Sequence, residues 1–365
     1  MKVYIITTHF ANNMGALLQC YALAKYLRTE EFTDCEVLNY LPKDDDLSWK
    51  IWPKPECFKD ILKNFYSLMP HKILTKLRKN RVIRSFISDY LPVTDMTYRR
   101  KNLLQNPPAA DAYICGSDQI WNFRLFDDLT YYLDFCDRIQ TRRISYAASF
   151  GKKSLVPEEV EETRRLVNKY QYLSMREISG VDILKKLGRN DGINVLDPTL
   201  LLNKKEWLKI ASSKYNSKNY VLMYNLNRNK KIDKYVEKLA REKNLDIYYI
   251  SYNLHECFKK GKMKCNVKVE DFLSLIANAS YVVTDSFHAT AFSINFNTPF
   301  MIIFPEKFST RLASILEVTG LQDRIVEDYN DIKLADKTIN FEHANKVLED
   351  ERKKASEYLD KALND

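Results

Sequence analysis

A short apolar run that stops in polar residues and restarts as a helix constrains this chain more than any other feature. The clearest case is residues 281–304, YVVTDSFHATAFSINFNTPFMIIF. Tyr281-Val282-Val283 has the aromatic and β-branched composition of a buried parallel strand. Thr284, Asp285 and Ser286 follow, each able to cap a helix N-terminus through a side-chain oxygen. Residues 288–297 then predict a helix, Asn297-Thr298-Pro299 a break, and 300–304 the next buried strand. Such a βαβ unit puts its polar turn at the carboxyl edge of a parallel sheet, where open α/β sheets bind ligands. His288 falls in the first helical turn, among backbone N–H groups that favour an anion. The chain holds five histidines, and one in this position weighs toward function over a core residue that satisfies a neighbour.

The same grammar recurs from the start. KVYIITT (2–8) reads as a strand and empties into a turn carrying Asn12, Asn13 and Gly15. A helix follows, with Leu17, Tyr21, Ala24 and Leu27 on one face, and then a strand at 36–40. Gly15 stands without a GxGxxG pattern, so no dinucleotide is implied. DAYIC (111–115) runs into Gly116-Ser117-Asp118-Gln119-Ile120-Trp121-Asn122, which reads equally as a functional turn or as a structural one with a tryptophan lid. RISYAA (143–148) ends in Ser149, Phe150, Gly151 and Lys152, and YLSM (172–175) ends in Arg176 and Glu177. In a parallel sheet these ends share one edge, so distant segments converge on one cleft.

The fold class is therefore α/β, with two Rossmann-like domains and mostly parallel sheets. The first spans 1–202, with an irregular, proline-punctuated helical insertion at about 42–108 whose helices fall in 56–67 and 71–89. The second spans 203–330: strands at 220–225 and 246–251, helices at 229–244 and 272–278, the βαβ unit above, and a helix at 309–319 carrying Arg311. A helical tail covers 331–365.

Composition narrows the classes. A formal charge of +9 comes with its densest cluster between Lys72 and Arg84. That cluster suits nucleic acid, weak peripheral contact with an anionic membrane surface or an acidic substrate, and most commonly such a pattern is a solvated helix face. No helix-turn-helix, RNP or zinc-finger signature accompanies it, so nucleic acid is not the expected partner. No apolar run has the length of a membrane span. Met1-Lys2 leads into a strand rather than a signal peptide, and seven scattered cysteines suit reduced thiols, so the expected location is cytoplasmic. No carboxylates or histidines have metal-site spacing, and neither a metal nor a cofactor is expected.

Six segments in order, NNMGALLQCYAL, GSDQIWN, RISYAASFG, SMREISG, LDPTLLL and TDSFHATAFSINFNTPF, closely resemble the polysaccharide pyruvyl transferase family over nearly the whole of 3–324. The resemblance implies a GT-B-like fold and transfer of the pyruvyl group of phosphoenolpyruvate onto two hydroxyls of a sugar, leaving a ketal and releasing phosphate. It places His288 and Arg176 at positions that hold phosphoenolpyruvate. The family's glycine after the histidine is Ala289 here, a methyl group beside the ligand's approach to the backbone. The implied acceptor is a surface-polysaccharide sugar, on a lipid-linked oligosaccharide before export.

Phosphoenolpyruvate carries a carboxylate and a phosphate, for which Arg176 and the helix start at Ser286 and His288 supply cationic and N–H groups. Attack by a hydroxyl at C2 requires a base, and C3 requires a proton. Asp118 and Asp285 are the carboxylate candidates, with His288 the alternative acid, and Asp285 reads first as a helix cap. Asn12, Asn13, Gln119 and Asn122 suit sugar hydroxyls. Gly15, Ser117, Ser149, Lys152, Asp285, Ser286 and Arg311 complete the expected substrate-binding set. Two rival readings stay open: a GT-B glycosyltransferase using a nucleotide-sugar, and a catalytically silent binding protein of a polysaccharide assembly system.

Overall fold

The computed structural model describes residues 1–10, 13–29, 34–42, 70–126, 128–251, 254–265, 267–304 and 310–365. Asn12 and the helix expected at 56–67 lie outside them. The chain divides into two compact units. One comprises Met1–Asp44, Ile87–Leu202 and Val347–Asp365; the other comprises Asn203–Lys346 and the described part of Asp45–Phe86.

The first unit runs β1 (Lys2–Ile6), α1 (Met14–Thr29), β2 (Asp34–Tyr40), the end of α2 (Pro70–Tyr90), β3 (Val93–Tyr98), α3 (Arg100–Gln105), β4 (Ala112–Cys115), β5 (Arg142–Ala148), α4 (Pro157–Val167), β6 (Tyr172–Met175), α5 (Ile178–Lys186) and β7 (Ile193–Asn194). Its seven strands are ordered β3-β2-β1-β4-β5-β6-β7, and every pairing is parallel. The order reverses between β1 and β4, which makes that point of the carboxyl edge the natural crevice for a ligand. β1 and β4 are continuous apolar runs because helices cover both faces of such a sheet. Helix α1 is buried almost all round from Met14 to Ala24, so its apolar residues extend beyond the face marked by Leu17, Tyr21, Ala24 and Leu27.

The second unit runs α6 (Lys204–Leu208), β8 (Tyr220–Tyr224), α7 (Lys230–Lys243), β9 (Asp246–Ser251), β10 (Lys262–Cys265), α8 (Val269–Ala277), β11 (Tyr281–Thr284), α9 (Phe287–Phe296), β12 (Phe300–Ile302) and α10 (Thr310–Thr319). The strand order is β10-β9-β8-β11-β12, again all parallel. Here the reversal falls between β8 and β11. Helix α9 is buried along its whole length. Its hydroxyls are absorbed internally: Thr290 Oγ1 donates to the Ser286 carbonyl and Ser293 Oγ to that of Ala289.

The last helix, α11 (Phe341–Asn364), closes the first unit from Val347 onward. Tyr358 Oη donates to the Ser145 carbonyl at 2.7 Å and Arg352 Nε to that of Leu200 at 2.7 Å. Arg142 donates to the carbonyls of Ala362 and Leu363.

Two strands differ from expectation. Val93–Tyr98 lies within the segment expected to be irregular, yet it is the edge strand of the first sheet, its middle residues exposed. Lys262–Cys265 edges the second sheet. Both sequences, VTDMTY and KMKC, are too polar to read as buried strands, and edges tolerate and favour such residues.

Candidate functional site

The two carboxyl edges carry distinct clusters. In the second unit, β11 ends at Thr284, whose hydroxyl donates to the Tyr224 carbonyl and accepts from the Ser286 amide. This ties the ends of β8 and β11 together. Ser286 is the cap of α9, its hydroxyl accepting from Ala289 N. Asp285 is therefore not the cap. Its carboxylate, nearly buried, accepts from the amides of Leu226 and Asn227 at 2.8 and 2.9 Å and from the Asn227 side chain at 2.8 Å. Those bonds fix the loop after β8 and spend the carboxylate on N–H donors.

His288 is 7% exposed. Its ring meets Phe287 edge-on, centroids 5.1 Å apart, and the guanidinium carbon of Arg311 lies 5.9 Å from the centroid of Phe287. Arg311, Phe287 and His288 thus stand in a row at the start of α9, where helix geometry gives the first N–H groups no intrahelical acceptor. Ala289, next in line, is fully buried.

In the first unit, Arg176 follows β6 and Asp197 follows β7. The Arg176 guanidinium is 2% exposed; Nη1 donates to Asp197 Oδ2 at 2.9 Å and Nε to Glu177 Oε1 at 3.3 Å. Nη2 lies 3.6 Å from Asp118 Oδ1. One guanidinium meets three carboxylates. Burial pulls against its charge, but Glu177, Asp197 and Asp118 outweigh that and raise its pKa. Each carboxylate has further anchors. Asp197 Oδ1 accepts from the amide and hydroxyl of Thr199, and Glu177 accepts from Ser149 Oγ at 2.8 Å. Ser117 Oγ donates to Asp197.

The other expected residues take local roles around this cluster. Asn13 is exposed and its side-chain oxygen accepts from Gly15 N, starting α1. Gln119 Oε1 accepts from Asn122 Nδ2, and Asn122 Oδ1 from Arg124 N. Gly151, at φ +64°, lets Gln119 come where a Cβ would lie 2.3 Å from its oxygen. Lys152 is spent on Glu159, 2.7 Å from both of its oxygens. Trp121 is no lid. It is fully buried, stacked on Tyr132 with centroids 5.0 Å apart, and its Nε1 donates to the Tyr131 carbonyl.

Glu177 and Asp197 were not among the expected site residues. The signal for Asp197 was present in LDPT, an aspartate followed by proline and threonine, the pattern of a carboxylate fixed by a tight turn. Among the described residues no group of three or more His, Cys, Asp or Glu is arranged to hold a metal ion. None of their helices is long and apolar enough to cross a membrane. Buried Cys115, beside the first edge, has its thiol pKa pushed up by burial and is no nucleophile.

The model of the family described as polysaccharide pyruvyl transferase matches residues 13–303. The chain belongs to that family. None of the curated proteins matches its sequence. Among solved structures it is similar to the UDP-GlcNAc 2-epimerase from Neisseria meningitidis bound to UDP-GlcNAc, at 12% identity and TM-score 0.52, covering 99% of this chain and 100% of that one. It is also similar to the S. aureus MnaA–UDP structure, at 13% identity and TM-score 0.52, covering 96% and 89%. At such identities the likeness concerns the fold, which is GT-B, built here from two mostly parallel α/β units.

Proposed function

We propose that this transferase-family member moves the pyruvyl group of phosphoenolpyruvate onto two hydroxyls of a sugar in a surface-polysaccharide precursor, forming a ketal and releasing phosphate. The observation that carries the reading is the row Arg311–Phe287–His288 at the start of α9. Two basic side chains and a helix N-terminus form a site for a small dianion or trianion. The first unit's edge is the poorer place for that donor, because one guanidinium there already faces three carboxylates. Asn13, Gln119, Asn122 and Asp118 on that edge have the donors and acceptors that sugar hydroxyls need.

In this mechanism the first hydroxyl oxygen attacks C2 as a base takes its proton. His288 delivers a proton to C3, turning the methylene into a methyl group. The C2–O bond to phosphate then breaks, phosphate leaves with the electron pair, and the second hydroxyl closes the ketal. Of the two hydroxyl protons, one is balanced by the proton gained at C3 and the other leaves on phosphate. Asp285 and Ser286 position the helix start rather than react.

The acceptor class follows from the family, and a lipid-linked oligosaccharide at the inner membrane face is its form. The exposed stripe Arg78, Arg81 and Arg84 on α2 supports weak contact with anionic lipid. Lys79 does not belong to that stripe: it is half-buried, and burial pulls its pKa down to about 8.

The test is calorimetry with phosphoenolpyruvate, with UDP-GlcNAc and GDP-mannose as controls. Tight binding of phosphoenolpyruvate is expected, weakened by roughly 1.5–3 kcal/mol in His288→Ala and in Arg311→Ala. Binding of a nucleotide-sugar alone would favour the glycosyltransferase reading, and silence toward all three the binding-protein reading.

A further inference from the structure

We propose that the two loops following β8 and β9 form a membrane-docking surface. The Phe258 ring and the Leu226 side chain enter the interfacial layer of an anionic bilayer, and the lysines and arginine around them meet its headgroups. The surface lies wholly within the second unit. It adds an apolar component to the electrostatic contact of the arginine stripe on α2, and it does not depend on which group the enzyme transfers.

Exposure is the first observation. Phe258 closes the short turn Leu254–Phe258 after β9 and is 92% exposed, whereas the other exposed large apolar residues among those described lie between 37% and 55%. A phenyl ring left in water to that extent invites an apolar partner. Leu226, on the loop after the neighbouring strand β8, is 49% exposed. The second observation is that both loops are held in place. Asp285 fixes the amides of Leu226 and Asn227, while the Asn225 side chain donates to the Asn229 carbonyl and accepts from the Asn229 amide, each at 2.9 Å. In the other loop, Tyr249 Oη donates to the Glu256 carbonyl at 2.8 Å and Ser251 Oγ to the Glu256 carboxylate at 2.9 Å. Arg228, left-handed at φ 54°, places Nε 3.2 Å from Glu256 Oε1 and ties the two loops together. Gly261, at φ +109°, closes the turn into β10 where a Cβ would lie 2.7 Å from the Ile247 carbonyl. Apolar tips on a preformed frame lose little freedom when they insert.

Charge is the third observation. Residues 226–237 and 256–262 carry seven Lys and Arg, against the four carboxylates of Asp233, Glu237, Asp246 and Glu256. Lys259, Lys260 and Lys262 lie 3.1, 3.0 and 2.8 Å from Asp233, Glu237 and Asp246, so their ammonium groups are drawn toward α7 and β9. Lys230 and Lys234, one helical turn apart on α7, are exposed. The excess of positive charge complements anionic headgroups. An aromatic tip ringed by cations suits the bilayer interface, where a ring sits at headgroup level and lysines meet phosphates. One ring and one leucine are too little for a stable protein–protein interface, which takes roughly 800 Å² per partner.

Sedimentation of the full chain with phosphatidylglycerol–phosphatidylcholine vesicles tests this, at low salt and at roughly 1 M salt, where charge is screened within about 3 Å. The wild type is expected to bind at low salt and to keep a bound fraction at high salt, because apolar insertion is not screened. Phe258→Ser is expected to lose that fraction, its partition coefficient falling roughly fivefold or more, the scale of burying part of a phenyl ring. Leu226→Ser should lower it less. Combined Lys230→Gln, Lys234→Gln and Lys260→Gln should weaken low-salt binding and spare the high-salt fraction. In a second readout, the emission of Phe258→Trp is expected to shift to the blue on these vesicles. Brominated phosphatidylcholine should quench it beyond any quenching of the four native tryptophans. Phosphoenolpyruvate binding is expected to be the same in Phe258→Ser and wild type. Sedimentation of Phe258→Ser that matches wild type at both salts overturns the proposal, as does Phe258→Trp emission that neither shifts nor quenches. A wild type that ignores anionic vesicles overturns it too, and leaves the pyruvyl-transfer reading untouched. Loss of phosphoenolpyruvate binding in Phe258→Ser would place the loop at the donor site and overturn its membrane role.

Discussion

At the carboxyl edge of the first sheet, one guanidinium is enclosed by three carboxylates. At the same edge of the second, one carboxylate is enclosed by three N–H donors while His288 and Arg311 stand at a helix start. The strand orders of the two sheets reverse in the same way, around β1/β4 and β8/β11. Topology thus fixes where polar residues gather, and side-chain chemistry decides what they can bind. The first edge is internally knitted around carboxylates, and the second carries His288 and Arg311 beside a helix start.

The sharpest way to break this contrast is to delete the central basic residue of each edge. Arg176→Ala leaves buried carboxylates without their cation, and a loss of roughly 3–5 kcal/mol in stability is expected from chemical denaturation. His288→Ala removes a side chain from a helix start that stays capped by Ser286, and its stability is expected to stay within about 1 kcal/mol of wild type. Equal losses in the two would erase the distinction.

The next effect concerns His9, at the turn after β1. It is 2% exposed, and burial holds its pKa near 4 against the usual 6.5. Above pH 6.5 it is neutral in both folded and unfolded chains. Between 6.5 and 4 the unfolded chain takes up a proton that the folded chain refuses. Stability therefore falls through that window and levels off below it, by roughly 3 kcal/mol in all. His9→Gln should flatten this part of the stability–pH curve; a curve that superimposes on wild type would show that the first edge opens to water more readily than its burial implies.

The smallest effect lies on α2, where Arg78, Arg81 and Arg84 are exposed and Lys79 is not. Each exposed arginine near anionic lipid contributes about 1 kcal/mol. Sedimentation with phosphatidylglycerol vesicles at low salt should fall when all three become Gln and hold when Lys79 does. The reverse pattern would move the contact away from this stripe.

Much of this was legible in the sequence for a specific reason. Strands such as Tyr281–Thr284 and Ala112–Cys115 are buried on both faces, so their apolar runs are unbroken and their polar ends are abrupt. Edge strands lack that pressure, and Val93–Tyr98 and Lys262–Cys265 read as loop. Among the candidate site residues, His288 stands out in the sequence by rarity and position. The pairing of Arg176 with Asp197 joins residues 21 apart in sequence, across two strand ends, and no local pattern encodes such a meeting. Lys152 shows the complementary case: a lysine at a strand end looks available, and its pairing with Glu159, seven residues on, is not written in any local pattern.

The placement of α11 has a consequence for how the molecule is made. Residues Val347–Asp365 complete the first unit, supplying partners for Arg142, Ser145 and Leu200. During synthesis the strands of that unit leave the ribosome first, yet the helix that covers them emerges after the whole of residues 203–346. The second unit, whose sheet comes from one continuous stretch, can close while the first still waits. Order of translation and order of completion are thus inverted, and for that interval β5 and β6 lack their cover. Nascent chains of this kind depend most on chaperones while their early strands stay uncovered.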